Sequence, residues 1–81
     1  MEIMRVRGDL VCTRRVPGLQ AASLRVLENN KGGLLVATDP VGVPAGKWVF
    51  TNVGSAARLA MPDVKVMTDL TICGIIDNWD A

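Results

Sequence analysis

The chain has 81 residues, enough for one small domain, and a net charge of only +1 at pH 7, which excludes a generally basic nucleic-acid-binding protein. Hydrophobic residues make up 49% of the sequence, although a domain of this size buries only about 60–65% of the surface that its unfolded chain exposes. We therefore expect a single domain over residues 1–81 whose surplus apolar surface is covered in a homo-oligomer.

Short runs of β-branched and apolar residues between glycines and prolines predict an all-β domain. The first strand is predicted over residues 2–15, where Gly8 marks a bulge or a sharp bend. One face of this strand is expected to carry four side chains: Met4, Val6, Leu10 and Cys12.

The second strand is predicted over residues 22–28, with Leu24 and Val26 on the face opposite to Leu27. Residues 29–33, Asn-Asn-Lys-Gly-Gly, are the clearest hairpin turn, because Asn and Gly adopt positive φ at little cost. The third strand, residues 34–38, is apolar nearly throughout, which predicts that both of its faces are covered.

Residues 39–46 contain two prolines and two glycines and are predicted to form a loop. The fourth strand follows over residues 47–53, and the alternation of strand side chains makes Trp48 and Phe50 point the same way. This strand leads directly into the one helix-like segment of the sequence.

That segment covers residues 54–60, with Ser55 as the predicted N-cap and Pro62 beyond its end. The last strand is predicted over residues 70–76, and residues 77–81 form a tail. Five strands, one short helix and two long loops indicate a small, partly open β-barrel.

Residue types that catalyse reactions are scarce. The chain has no histidine or tyrosine, and its two serines, Ser23 and Ser55, lack the local sequence of a nucleophile motif. Cys12 and Cys73 belong to no metal or redox motif and are expected to be buried thiols. The sequence thus predicts a protein that is not an enzyme and that holds no metal or cofactor. No apolar run approaches the roughly 20 residues of a membrane span, so we expect a cytosolic protein with no membrane partner.

A small β-barrel that binds single-stranded nucleic acid is the alternative interpretation. Such a site combines a basic groove with aromatic side chains on which bases stack. Five arginines supply positive charge in the first part of the chain: Arg5, Arg7, Arg14, Arg15 and Arg25. Because Trp48, Phe50 and Trp79 are not interleaved with these arginines, the sequence favours no nucleic-acid partner.

Two blocks of sequence suggest a known family. Residues 39–58 read Asp-Pro-Val-Gly-Val-Pro-Ala-Gly-Lys-Trp-Val-Phe-Thr-Asn-Val-Gly-Ser-Ala-Ala-Arg, and residues 69–77 read Asp-Leu-Thr-Ile-Cys-Gly-Ile-Ile-Asp. Together with Leu-Val-Cys-Thr-Arg at residues 10–14, they resemble the EutN/CcmL family of bacterial microcompartment vertex proteins, most closely its α-type carboxysome members. The chain departs from the family pattern at Ala56, where many relatives have a second serine, and at Lys47, where many have an aspartate.

The resemblance implies a five-stranded, OB-like barrel that assembles as a cyclic homopentamer. Such pentamers close the vertices of a polyhedral shell built with hexameric shell proteins in the bacterial cytoplasm, and a carboxysome shell encloses CO₂-fixing enzymes. The resemblance also implies that Gly54, Ser55 and Ala56 line a narrow opening on the five-fold axis. Five copies can converge only where side chains are small, so these residue types are compatible with that position.

A ring of this kind needs large contact residues, and Trp48, Phe50 and Trp79 are the candidates for the subunit interface. Trp79 in the tail has no evident local core, so we expect it to pack on a neighbouring subunit. Charge is also unevenly placed: residues 1–31 carry six basic and three acidic residues, and residues 32–81 carry three and five. This polarity suits contacts between copies of the chain, although a solvated scatter of charges explains it equally well.

Overall fold

The strands of the chain close into a barrel, as a computed structural model that describes residues 1–79 shows. The elements, in chain order, are β1 (Glu2–Asp9), a 3₁₀ turn (Pro17–Leu19), β2 (Leu24–Glu28), β3 (Leu34–Thr38), β4 (Trp48–Val53), α1 (Ser55–Leu59) and β5 (Leu70–Ile75). The barrel order is β1-β2-β3-β5-β4. The predicted all-β barrel with one short helix is confirmed, but the barrel is closed rather than partly open, because β3 and β5 pair at one position. The last two residues of the predicted tail lie outside the described residues. Within residues 1–79, no helix has the length and apolar character needed to cross a membrane.

The barrel core is formed by the inward-facing residues of alternate strand positions, because successive strand side chains point to opposite faces. Six large apolar side chains are almost completely buried there: Met4, Val6, Leu27, Val43, Val49 and Ile72. Val43 comes from the loop between β3 and β4, so this loop also covers the core.

The predicted irregularity at Gly8 is confirmed as a shift in the pairing of β1 with β2. Val6 pairs with Leu27, whereas Gly8 pairs with Val26, so the strand β1 contains one extra residue between these pairs. Leu27 pairs with Val6 and lies fully inside the barrel, whereas Val26, on the opposite face of β2 as predicted, is only half-buried.

β1 ends at Asp9, so the prediction of a strand extending to residue 15 is wrong. Asp9 pairs with Arg25, and β2 begins only one residue before Arg25, at Leu24. The amide of Leu10 still donates to the carbonyl of Leu24 at 3.0 Å, and beyond this bond β2 offers no further partner. We call the exposed segment that follows, residues 10–16, the arm.

The hairpin between β2 and β3 forms as predicted. The side-chain Oδ1 of Asn29 accepts hydrogen bonds from the amides of Lys31 at 3.0 Å and Gly33 at 2.8 Å. Gly32 has φ of +80°, a conformation that glycine adopts without strain. The turn therefore fixes the antiparallel register of β2 and β3.

A single residue pair closes the barrel between β3 and β5. These parallel strands pair only at Thr38 and Thr71, whose hydroxyl oxygens lie 2.8 Å apart in a buried position. The hydroxyl of Thr71 also donates to the carbonyl of Ala57 in α1 at 2.8 Å. Side-chain hydroxyls thus join β3, β5 and the helix where the strand ladder is shortest.

Candidate assembly surfaces

The turn from β4 into α1 places Gly54, Ser55 and Ala56 together at the surface, and all three are exposed. Gly54 has φ of +66° and ψ of −144°, a region that is costly for residues with a side chain. The predicted capping role of Ser55 is wrong, because Gly54 occupies the N-cap position and no side chain caps the helix. Ser55 is already the first helical residue, so its hydroxyl lies past the position from which a side chain caps.

Trp48, Phe50 and Trp79 form an aromatic patch on the outside of the barrel. Trp48 and Phe50 alternate with the buried residues Val49 and Thr51, which confirms that the two rings lie on the same face. The ring of Trp79 meets that of Trp48 edge to face, with centroids 5.6 Å apart. Trp79 therefore has a local aromatic partner in its own chain, contrary to the expectation that it has none.

The aromatic patch nevertheless leaves apolar surface in water. Trp48 is 40% exposed and Trp79 is 47% exposed, whereas Phe50 is half-buried. The guanidinium carbon of Arg5 lies 5.8 Å from the centroid of the Trp48 ring, within the range of a cation–π interaction. Arg5 and Trp48 are thus in contact in the folded chain, although they are far apart in the sequence.

A second apolar surface lies along the open edge of β3, on a different part of the barrel. Leu34 is 66% exposed and Val36 is 48% exposed, so the prediction that both faces of this strand are covered is wrong for a single chain. These residues line a groove of about 510 Å³, which we call the seam groove because it follows the gap between β3 and β5. Its other walls include Val53, Glu2 and Asp69.

The seam groove continues into a larger cleft beside α1. This cleft has a volume of about 700 Å³ and shares Val36, Gly54 and Asp69 with the seam groove. Arg58 of the helix and Lys65 also line this cleft. Gly54 therefore lines both depressions.

Asp39 is a structural residue that the sequence reasoning missed. Its buried carboxylate accepts three main-chain hydrogen bonds, from Val41, Gly42 and Val43, at 2.7–2.9 Å. The Nε of Arg25 lies 3.1 Å from the same carboxylate. An aspartate directly before Pro-Val-Gly is a recognisable turn signal, but the partner Arg25 is remote in sequence and gives no local sign.

Two of the five arginines of the alternative interpretation are engaged in ion pairs. Arg7 pairs with Glu28, and Arg25 lies between Asp9 and Asp39 with nitrogen–oxygen distances of 3.2 and 3.1 Å. Nucleic-acid sites that track a backbone need such charges unpaired. Arg7 and Arg25 are therefore not available as free phosphate contacts.

The cysteines are not the buried pair that the sequence predicted. Cys12 is exposed because it lies in the arm rather than in a core strand, and Cys73 is half-buried; both are free thiols. Among the described residues, no three His, Cys, Asp or Glu side chains are grouped so that they could hold a metal ion. The exposed apolar surfaces are thus the features with functional potential.

Comparison with known proteins gives these surfaces a context. A family model described as "Ethanolamine utilisation protein EutN/carboxysome" matches residues 1–77. The chain is 61% identical over 79 residues to the carboxysome shell vertex protein CsoS4B of Halothiobacillus neapolitanus, with 98% of each chain covered. It is 40% identical over 82 residues to the carboxysome shell vertex protein CsoS4A of the same bacterium, covering 100% of this chain and 99% of the relative.

Solved structures show the same fold. The structure of CsoS4B from Halothiobacillus neapolitanus matches with a TM-score of 0.91 at 60% identity, over 96% of this chain and 100% of that one. The pentameric shell protein MSM0273 from the RMM microcompartment matches with a TM-score of 0.90 at 29% identity, over 100% and 96% of the two chains.

Proposed function

The chain belongs to the EutN/CcmL family, and we propose that it forms a cyclic homopentamer that caps the vertices of a carboxysome shell in the bacterial cytoplasm. As a vertex protein it is a structural component and not an enzyme. The identity of 61% to CsoS4B, against 40% to CsoS4A of the same bacterium, supports a role equivalent to that of CsoS4B.

The observation that carries this proposal is the presence of two separate apolar surfaces on one small chain. The seam groove exposes Leu34 and Val36, and the aromatic patch exposes Trp48 and Trp79. A ring closed by rotation uses two different surfaces of each protomer, one for each neighbour. Two apolar surfaces that are open in a single chain are therefore what a ring-forming protomer requires.

The aromatic patch of Trp48, Phe50 and Trp79 is the proposed large-residue part of the subunit interface. Tryptophan combines a large apolar ring with one N–H donor, so it is stable at a boundary that is partly wet and partly buried. The exposed fractions of Trp48 and Trp79 leave enough ring surface for a neighbour to cover. The contact between the two rings within one chain fixes their orientation before assembly.

Gly54, Ser55 and Ala56 are the proposed lining of the five-fold axis. All three are exposed and small, and a Cβ placed on Gly54 would meet no atom within 4 Å. Five copies could therefore approach one another closely at this turn. A Ser55→Cys substitution in a chain without Cys12 and Cys73 tests this, because thiols at the axis would form disulfides between subunits. The exposed Ser23 gives the matched control as Ser23→Cys, and equal crosslinking at both sites would contradict the axial placement.

A pentamer performs its role through shape. A flat lattice of hexagonal tiles cannot close, and a five-fold unit at each corner introduces the curvature that closes it. The proposed partners are accordingly hexameric shell proteins, which would contact the outer rim of the pentamer. The result is a sealed compartment that keeps CO₂ near the enzymes that fix it.

Two measurements test the function. Native mass spectrometry at micromolar concentration should return a mass of five protomers of 8.7 kDa, and a monomer or dimer would contradict the proposal. Deletion of the gene and its vertex paralogues in the native host should give shells with open corners in electron microscopy and a requirement for high CO₂. A salt-dependent shift of labelled single-stranded DNA would instead support the nucleic-acid interpretation, because phosphate contacts weaken as ionic strength rises.

A further inference from the structure

The arm has the sequence of a strand but no strand partner in its own chain. Val11 and Thr13 are β-branched, a residue type favoured in strands. Within residues 1–79, no main-chain group of residues 11–15 takes part in a hydrogen bond. Val11 is 88% exposed, so the arm presents an apolar side chain together with unpaired main-chain groups. A segment of this kind is suited to pairing with a second chain.

The seam groove contains a complementary open strand edge. Residues 34–37 of β3 pair with β2 on one side, whereas β5 pairs with β3 only at Thr38. The groove thus offers unpaired main-chain groups of β3 together with the exposed side chains of Leu34 and Val36. Extended segments that add to an open sheet edge bind through these two kinds of contact.

The charges of the two segments are opposite. The arm carries Arg14 and Arg15 and no acidic residue. The seam groove is lined by Glu2 and Asp69 and by no basic residue. Opposite charges across a contact direct association and disfavour wrong pairings. The adjoining cleft, which contains Arg58 and Lys65, lacks this complementarity.

The arm does not lie in the seam groove of its own chain, since none of residues 10–16 lines that groove. It leaves the barrel beside Leu24, and near its far end the guanidinium of Arg15 donates to the carbonyl of Ala22 in the same chain at 2.6 Å. Leu34 lies at the opposite end of the β2 ladder from Leu24, because it pairs with Glu28. Four strand residues of about 3.3 Å each separate these two ends. A second copy, arranged head to tail, is the occupant that this placement and the opposite charges fit.

We propose that the arm of each protomer lies in the seam groove of the next protomer in the ring, as an added strand beside the open edge of β3. This inference rests on the proposed function and deepens it by naming the two segments that meet. The contact is heterologous, since arm and groove are different surfaces, and repetition of such a contact closes a ring.

Cys12 provides a probe for this contact, because it lies in the arm and is exposed. In a Cys73→Ser background, Val36→Cys and, separately, Leu34→Cys place a thiol in the groove. A short bismaleimide linker should then join subunits into a covalent series from dimer to pentamer on denaturing gels. Replacing Cys12 by Ser should abolish the series, and Ala45→Cys, exposed in the β3–β4 loop, should not produce it.

The outcomes separate this proposal from the proposed function. A pentamer in native mass spectrometry that gives no covalent series from either groove variant would overturn the arm-in-groove contact while the vertex role stands. Absence of a pentamer from the unmodified chain would overturn the vertex role itself. A covalent series that depends on Cys12 supports the contact.

Charge reversal gives an independent measurement if a groove cysteine prevents assembly. Arg14→Glu with Arg15→Glu should raise the dissociation constant of the pentamer tenfold or more, and so should Glu2→Lys with Asp69→Lys. The chain carrying all four changes should recover most of the loss, because the charges are again opposite. Failure of the fourfold variant to recover, with each pair of changes harmful, would overturn the proposal.

Discussion

Phe50 lies directly over Gly74, its neighbour on the adjacent strand β5. The two residues pair across the β4–β5 ladder, and a Cβ built on Gly74 would lie 2.8 Å from Cζ of the Phe50 ring. A glycine at this position therefore lets the half-buried ring lie flat on the barrel wall. Because Phe50 belongs to the aromatic patch, a larger residue at position 74 that displaced its ring would also change the outer surface of β4.

Gly74→Ala should reduce the free energy of unfolding by about 1–3 kcal/mol, because the added methyl group forces the Phe50 ring away from the wall. Denaturant unfolding measures the change. In a chain that already carries Phe50→Leu, the same substitution should cost clearly less, since the aromatic ring is gone. Equal costs in the two backgrounds would show that the ring is not the obstacle.

Trp79→Ala should weaken the pentamer by about 2 kcal/mol or more if Trp79 lies at the subunit interface. The conservative variant Trp79→Phe keeps an aromatic ring against Trp48 and should retain much of the affinity. Dilution series followed by native mass spectrometry give both values. A pentamer as stable in the alanine variant as in the parent would confine the role of Trp79 to its own chain.

Asp39→Ala should destabilise the fold by about 3–5 kcal/mol, because it leaves the half-buried Arg25 without its buried partner and three amides without an acceptor. Asp9→Asn removes the other carboxylate near Arg25, but that carboxylate is exposed. The cost of this control should stay near or below about 1 kcal/mol. Thermal unfolding measures the stability of both variants. Similar losses of stability would contradict the structural role of the buried Asp39–Arg25 pair.

Gly54→Ala should lower stability by about 1–3 kcal/mol through backbone strain alone, since φ is +66° and no atom lies within 4 Å of the added Cβ. Gly8→Ala is the matched control: a Cβ there also meets no atom within 4 Å, and Gly8 has no positive φ. Its cost should therefore be distinctly smaller. Similar unfolding midpoints for the two variants would contradict the strain argument.

The pKa of Asp63 is lowered below its ordinary value of 3.8, first by the Lys65 amide and then by the side chain of Gln20, which both donate to the carboxylate. A carboxyl whose pKa is lower in the folded chain favours folding above the ordinary value, and this contribution is lost as the pH falls through the lowered pKa. An NMR titration should show Asp63 protonating below 3.8. Gln20→Ala should move its midpoint upwards, and an unchanged midpoint would exclude the Gln20 contact.

The sequence predicted the parts of this fold that local patterns determine. The turn at residues 29–33 and strands β3 and β4 follow from residues that are adjacent in the chain, and the structure agrees with them. Alternation predicts that β1 continues to residue 15, whereas its pairing stops where β2 begins, at Leu24. No pattern within one strand can reveal the length of its partner.

The features of the candidate surfaces are likewise predictable only where they depend on residues close together in the sequence. The common face of Trp48 and Phe50 follows from alternation and is correct, whereas the contact between Trp48 and Trp79 joins residues that are far apart in sequence. The N-cap was placed one residue late because Ser55 has the preferred side chain, although the positive φ of Gly54 makes glycine the residue at the cap. The burial of Asp39 depends on Arg25, which no local pattern connects with it.

The closure of the barrel at Thr38 and Thr71 has a consequence for how stability depends on concentration. A barrel shut by one strand pair and a few hydroxyl hydrogen bonds opens more readily there than along its longer ladders. A neighbour that occupies the groove beside this pair binds the closed form and adds its binding free energy to folding by mass action. The melting temperature should then rise with protein concentration. A single subunit that has dissociated from its ring should therefore unfold at a lower temperature than a subunit within the ring.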